Sequence, residues 1–199
     1  MEEHSSPPVR AFEGIKSIEG QNTFVGLTYD KLDITASIDR VRSPKAGAVV
    51  VFVGTTRDNF EGNPVSTLEY TTYTPLALRT LSSIVTTLKS TNDSCLHSIS
   101  VTHRLGIVPI SEDSIVITLS TSHRAEGWRI AEECLELVKD KVEIWKREWF
   151  VDGGVWRANR DGGKGVAGVH VDRNAGNVED EEEEEAGGVP IEYLEQEDR

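Results

Sequence analysis

The feature that most constrains the fold is residues 48–53, AVVVFV, an unbroken β-branched and aromatic run bounded by Gly47 and Gly54. A run of this length with no polar residue suits a strand buried on both faces, the kind found inside sheets covered by helices. The segments around it alternate in period. Thr23–Thr28 is β-prone, and Ile34, Ile38 and Val41 recur at helical spacing. Residues 66–73 read as a strand and 75–89 as a helix with Pro75 in its first turn. Residues 99–104 and 114–120 again read as strands. From 125 to 139, Ile130, Ala131, Cys134, Leu135 and Val138 recur at three and four, which makes an amphipathic helix. After Lys141 the spacing changes to two, and a strand is expected. The expected class is α/β, a mixed α+β sheet with packed helices in a single domain.

Charge sets the limits of that domain. Between 166 and 199 twelve acids face two bases, so this end carries −10 of the total −13 and leaves −3 for residues 1–165. The glutamate run at 179–185 and the glycines before it cannot bury enough surface to offset chain entropy. The expected division is a flexible N-terminal arm at 1–20, a folded catalytic domain at 21–165, and a disordered acidic tail at 166–199. A nearly balanced domain can hold a basic pocket for an anionic substrate, while nucleic acid is not an expected partner. Cys95 and Cys134 have no CxxC spacing, and no charged-then-apolar leader is legible. No apolar run approaches the roughly 18 residues that a membrane span needs. A cytosolic protein without membrane attachment is expected.

Basic and titratable side chains gather beside strand ends at Arg57, His103-Arg104 and His123-Arg124. A lone loop arginine is usually a solvated charge. The His123-Arg124 pair opens a helix whose free N–H groups favour an anion, although Ser122 as a simple N-cap would explain the same residues. Lys139 and Lys146 straddle the helix-to-strand change. They are either snorkelling surface lysines or a convergent pair able to hold an anion or move a proton. No phosphate loop, dinucleotide fingerprint or metal-ligand spacing is present, so no cofactor or metal is expected.

Taken in order, Ala46-Gly47-Ala48-Val49-Val50, Phe52-Val53-Gly54-Thr55-Thr56-Arg57-Asp58, Leu68-Glu69-Tyr70, His103-Arg104-Leu105-Gly106, Ser122-His123-Arg124 and Ile144-Trp145-Lys146-Arg147-Glu148 resemble the molybdopterin synthase large (catalytic) subunit family. The resemblance implies a homodimer at the centre of a heterotetramer. Each copy would dock a small ubiquitin-like sulfur-carrier subunit ending in a Gly-Gly thiocarboxylate. Sulfur would pass to cyclic pyranopterin monophosphate, twice, to make the molybdopterin dithiolene. It further implies that Lys139 and Lys146 are catalytic, and that Arg57, His123 and Arg124 bind substrate, with the His-Arg pair offered across the dimer. Glu143 stands where the family has a proline two residues before the tryptophan of its Trp-Lys motif, and the acidic tail has no family counterpart. Two other readings are a small phosphoesterase using His103 or His123, and an inert scaffold that binds a ubiquitin-like protein.

Overall fold

The structure, a computed structural model, describes residues 16–18, 22–60, 62–150 and 153–158. The expected acidic tail and residues 1–15 of the expected arm lie outside the described residues. Ten strands and three helices are present among those described. β1 (Lys16–Ile18), β2 (Thr23–Thr28), β3 (Ala48–Thr55), β6 (Leu96–Arg104) and β8 (Asp113–Thr121) form one sheet in the order β1-β2-β6-β8-β3. Only β2 and β6 run parallel in it; the other neighbours are antiparallel. β4 (Asn59–Phe60), β5 (Asn63–Thr72), β9 (Ile144–Phe150) and β10 (Gly153–Ala158) form a second, antiparallel sheet, with β7 (Gly106–Pro109) paired to β5. The mixed α+β architecture expected from the sequence is the one observed.

Helices α2 (Thr74–Thr91) and α3 (Arg124–Lys141) cover one face of the first sheet, α2 over β2 and β6, α3 over β3 and β8. Their buried residues, Ala77, Leu81, Ile84, Val85 and Leu88 on α2 and Gly127, Ile130, Ala131, Cys134 and Val138 on α3, recur at three and four and meet Ile99, Val101, Ile117 and Leu119 from the strands. This one-sided stripe is what a helix resting on a sheet requires. α1 (Ile34–Val41) lies on the opposite face, capped by Asp33, whose carboxylate accepts from the Ala36 amide at 2.8 Å. That face is lined by hydroxyls, and the Thr118 hydroxyl donates to the Ser37 carbonyl at 3.0 Å.

Three expectations need correction. β3 is the edge of its sheet and not an interior strand: Val50 is buried under α3, whereas Val49 is 37% exposed. An apolar run records that contacts are needed but not which side of the strand supplies them. Lys16–Ile18, placed in the loose arm, pairs with β2. Ser122 is not the N-cap of α3. His123 occupies that position in an extended conformation with no side-chain cap, and the Ser122 hydroxyl contacts His97 Nε2 at 3.0 Å.

The corner before α3 is held tightly by Gly47. A Cβ there would stand 2.5 Å from the Ser122 carbonyl oxygen, a backbone atom that cannot swing aside. Gly47→Ala is expected to cost about 1–3 kcal/mol by overpacking. Urea unfolding checks this, and an unchanged midpoint would mean that the corner yields freely.

Candidate functional site

A cavity of about 540 Å³ opens where the end of β3, the second sheet and the last turns of α3 converge. Period explains its lining. On β5 and β9 the register sets Tyr70 opposite Lys146 and Leu68 opposite Glu148, and all four side chains face the cavity. α3 contributes Leu135, Val138 and Lys139, one stripe at spacings of three and four. The helix ends at Val142, which takes an extended conformation with φ −79° and ψ 132°. This break folds β9 back, so that Lys139 and Lys146 line the same cavity. Arg57, exposed on the loop after β3, lines it as well, with Asn59 and Phe60 from β4.

His123 and Arg124 do not line this cavity. They sit exposed at the other end of α3. Lys139 lies fifteen helical steps beyond Arg124, an axial distance of roughly 22 Å at 1.5 Å per residue. Within one chain the pair cannot join the lysines.

Glu148 is the residue whose role the sequence reading missed. Its carboxylate lies 3.1 Å from the Lys146 ammonium, and the side-chain exposures are 2% and 14%. The ammonium also stands 5.9 Å from the centre of the Phe60 ring. Strand alternation carried the signal, because residues two apart on β9 share a face.

His103 lines the cavity floor, almost fully buried. Burial pulls its pKa down to about 4, outweighing the opposing effect of the hydrogen bond to Arg104. At neutral pH the ring is uncharged. Nδ1 carries the proton and donates to the Arg104 carbonyl at 2.7 Å, while the ring meets Tyr70 edge-on at 4.8 Å. Arg104 itself points away and pairs with Glu112 at 2.6 Å. Cys134 is buried among apolar neighbours; desolvation, then Glu133, pushes its thiol up to about 12. Such a thiol is not a nucleophile at neutral pH.

Glu143 ties the turn together. Its carbonyl accepts from the Thr72 hydroxyl and its carboxylate from the Thr80 hydroxyl, the latter at 3.2 Å. No helix among the described residues is long and apolar enough to cross a membrane.

The family model described as MoaE protein matches residues 27–141, more than half of the chain. The chain belongs to the MoaE family. A molybdopterin synthase catalytic subunit from Pyricularia oryzae is 60% identical over 143 residues, covering 71% of this chain and 78% of that protein. The crystal structure of molybdopterin synthase from Staphylococcus aureus superposes with a TM-score of 0.63 at 30% identity, covering 66% of this chain and 94% of that one. A further structure, a complex of subunits 1 and 2 of molybdopterin-converting factor from Helicobacter pylori, shares the fold with a TM-score of 0.55 at 22% identity, covering 66% and 88%. This MoaE-family chain has the function of its relatives: it is a catalytic subunit of molybdopterin synthase, a sulfur-transferring enzyme of molybdenum cofactor biosynthesis.

Proposed function

We propose that residues 21–165 form the catalytic unit. In the cytosol it takes sulfur from the C-terminal Gly-Gly thiocarboxylate of a small ubiquitin-like carrier and delivers it to cyclic pyranopterin monophosphate, twice, forming the dithiolene. The observation that carries this reading is the convergence of Lys139, Lys146 and Arg57 on one cavity. Both reactants are anions, and three cations around a half-apolar cavity suit them. Lys146, anchored by Glu148, holds the carrier's thiocarboxylate. Lys139 carries protons to and from the reacting pterin. Arg57, at the exposed loop, takes the phosphate. The thiocarboxylate sulfur replaces an oxygen on a side-chain carbon of the pterin, the C–S bond forming as the C–O bond breaks and the oxygen leaving as water or as the freed phosphate-ester oxygen; water then cleaves the acyl–sulfur bond, and the carrier leaves as a carboxylate. No thiol of this chain is needed, in keeping with the buried Cys134.

His123 and Arg124 complete the site in a second copy. Two observations support this dimer: the pair is roughly 22 Å along α3 from its own Lys139, and β3 is an apolar edge strand with no neighbour on its outer side among the described residues. Val49 and, near the start of α3, Trp128 are exposed at 37% and 61%. The carrier's docking is supported by the two-subunit complex in which the H. pylori relative was solved.

A complementation experiment tests the shared site. Lys139→Ala and Arg124→Ala are each expected to be inactive as homodimers. Mixed after dissociation, they form heterodimers in which one pocket carries both defects and the other none, restoring about a quarter of wild-type activity if the subunits exchange at random. No recovery on mixing, or full activity of Arg124→Ala alone, would show that the pair does not serve the partner's pocket.

A further inference from the structure

A second cavity, of about 390 Å³, lies on the other face of the first sheet, between α1 and the strands. Adjacent strand residues face opposite ways: His103 and Ile115 line the first cavity, Thr102 and Val116 the second. The two share strands β6 and β8 but no side chain.

Two donors on residues lining this second cavity have no acceptor among the described residues. Thr102 is 3% exposed, and its hydroxyl has no hydrogen-bond partner among the described residues. Nη1 of Arg40 is likewise buried with no acceptor. The guanidinium is held from one side by the Phe24 ring, 5.7 Å from its centre. The neighbouring acids are committed or open to solvent. Asp33 caps α1 through the Ala36 amide at 2.8 Å, Asp39 pairs with Arg42 at 2.9 Å, and Asp30 is exposed. Lys31 is occupied by Glu112 at 2.6 Å. Folded interiors leave few buried donors without acceptors, and two such donors on residues lining one cavity suit an acceptor from beyond the described residues.

The chemistry of that acceptor follows from the lining. A guanidinium nitrogen and a hydroxyl together suit the two oxygens of a carboxylate. Leu32, Ala36 and Val116 give the cavity apolar walls, which suit a short hydrocarbon body. Asp30 and Asp33, both in the lining, disfavour a dianion. We propose that this cavity binds a small organic monocarboxylate, whose head accepts from Arg40 Nη1 and the Thr102 hydroxyl and whose aliphatic body rests on Leu32, Ala36 and Val116.

The test titrates the ¹⁵N-labelled full chain with sodium butyrate, and separately with inorganic phosphate, at constant ionic strength. Butyrate is expected to shift the amides of α1, Thr102 and Val116 and to saturate with a Kd on the order of millimolar, as suits so small a ligand, while phosphate leaves them in place. Arg40→Gln should weaken butyrate binding at least about tenfold. Thr102→Val should weaken it several-fold, and Thr102→Ser should restore it. The substitutions lie on α1 and β6, so a folding defect in one leaves the other as a readout. Sulfur transfer without butyrate should be unchanged in all three variants, because none of these side chains lines the first cavity. The proposal is overturned if butyrate causes no shift, which would leave ordered water as the partner of both donors. It is equally overturned if phosphate reproduces the shifts, or if Arg40→Gln and Thr102→Val leave the response intact.

Discussion

Lys139→Ala is expected to lower the turnover of sulfur transfer by about 10²–10⁴-fold, the range for loss of a positioned proton carrier, with the fold retained. Lys139 is only half-buried in the last turns of α3, and alanine is the better helix former. The unfolding midpoint should therefore stay near that of the wild type while product formation collapses. Lys146→Ala should behave differently. Glu148 is 1% exposed and would lose its 3.1 Å contact with the ammonium, so that variant should lose activity and also about 1–3 kcal/mol of stability. Single-turnover rates and urea midpoints of the two variants separate these effects. Wild-type turnover in Lys139→Ala would remove that lysine from the chemistry.

Acidification should weaken the fold through His103. Its folded pKa, about 4, lies below the ordinary histidine value of 6.5 because burial disfavours the charged ring. Between those values the unfolded chain binds a proton that the folded chain refuses, so stability is full above pH 6.5 and falls as pH drops towards 4. A shift of this size corresponds to roughly 3 kcal/mol. Glu112 acts in a lower window. Lys31, then Arg104, holds its carboxyl below the usual value of 4.5, and its contribution is lost only as pH falls below that value. Urea midpoints at pH 7 and pH 4.5, compared between wild type and His103→Gln, isolate the histidine. The wild type should lose much more stability over this interval than the variant, and equal losses would mean that His103 does not titrate as its burial dictates.

The sequence made the long elements legible because their periods are local properties. The stripe from Ile130 to Val138 could only be one face of a helix, and the spacing of two after Lys141 could only continue as a strand. β7 was not legible. Gly106 and Pro109 frame it as a turn would be framed, and it exists as a strand through pairing with Thr67 to Tyr70, far along the chain. The edge position of β3 was hidden for the same reason, since an apolar run names no neighbours. In the candidate site, spacing alone could not bring Lys139 and Lys146 together, because their convergence depends on the angle of the break at Val142. Glu148 was available by counting two residues on from Lys146. His103 is legible in the sequence as a titratable group but not as a buried one. Its burial follows from helices covering one face of β6, and that is a tertiary fact.

Reconstitution tests the sulfur transfer most directly. The purified chain is mixed with a thiocarboxylated ubiquitin-like carrier and cyclic pyranopterin monophosphate, and the dithiolene-bearing pterin is followed by oxidation to its fluorescent derivative. The expected product requires this chain and two thiocarboxylates per pterin, and disappears with Lys139→Ala. A folded, dimeric chain that binds the carrier yet forms no product would contradict this expectation, and would leave a scaffold in place of a sulfur transferase.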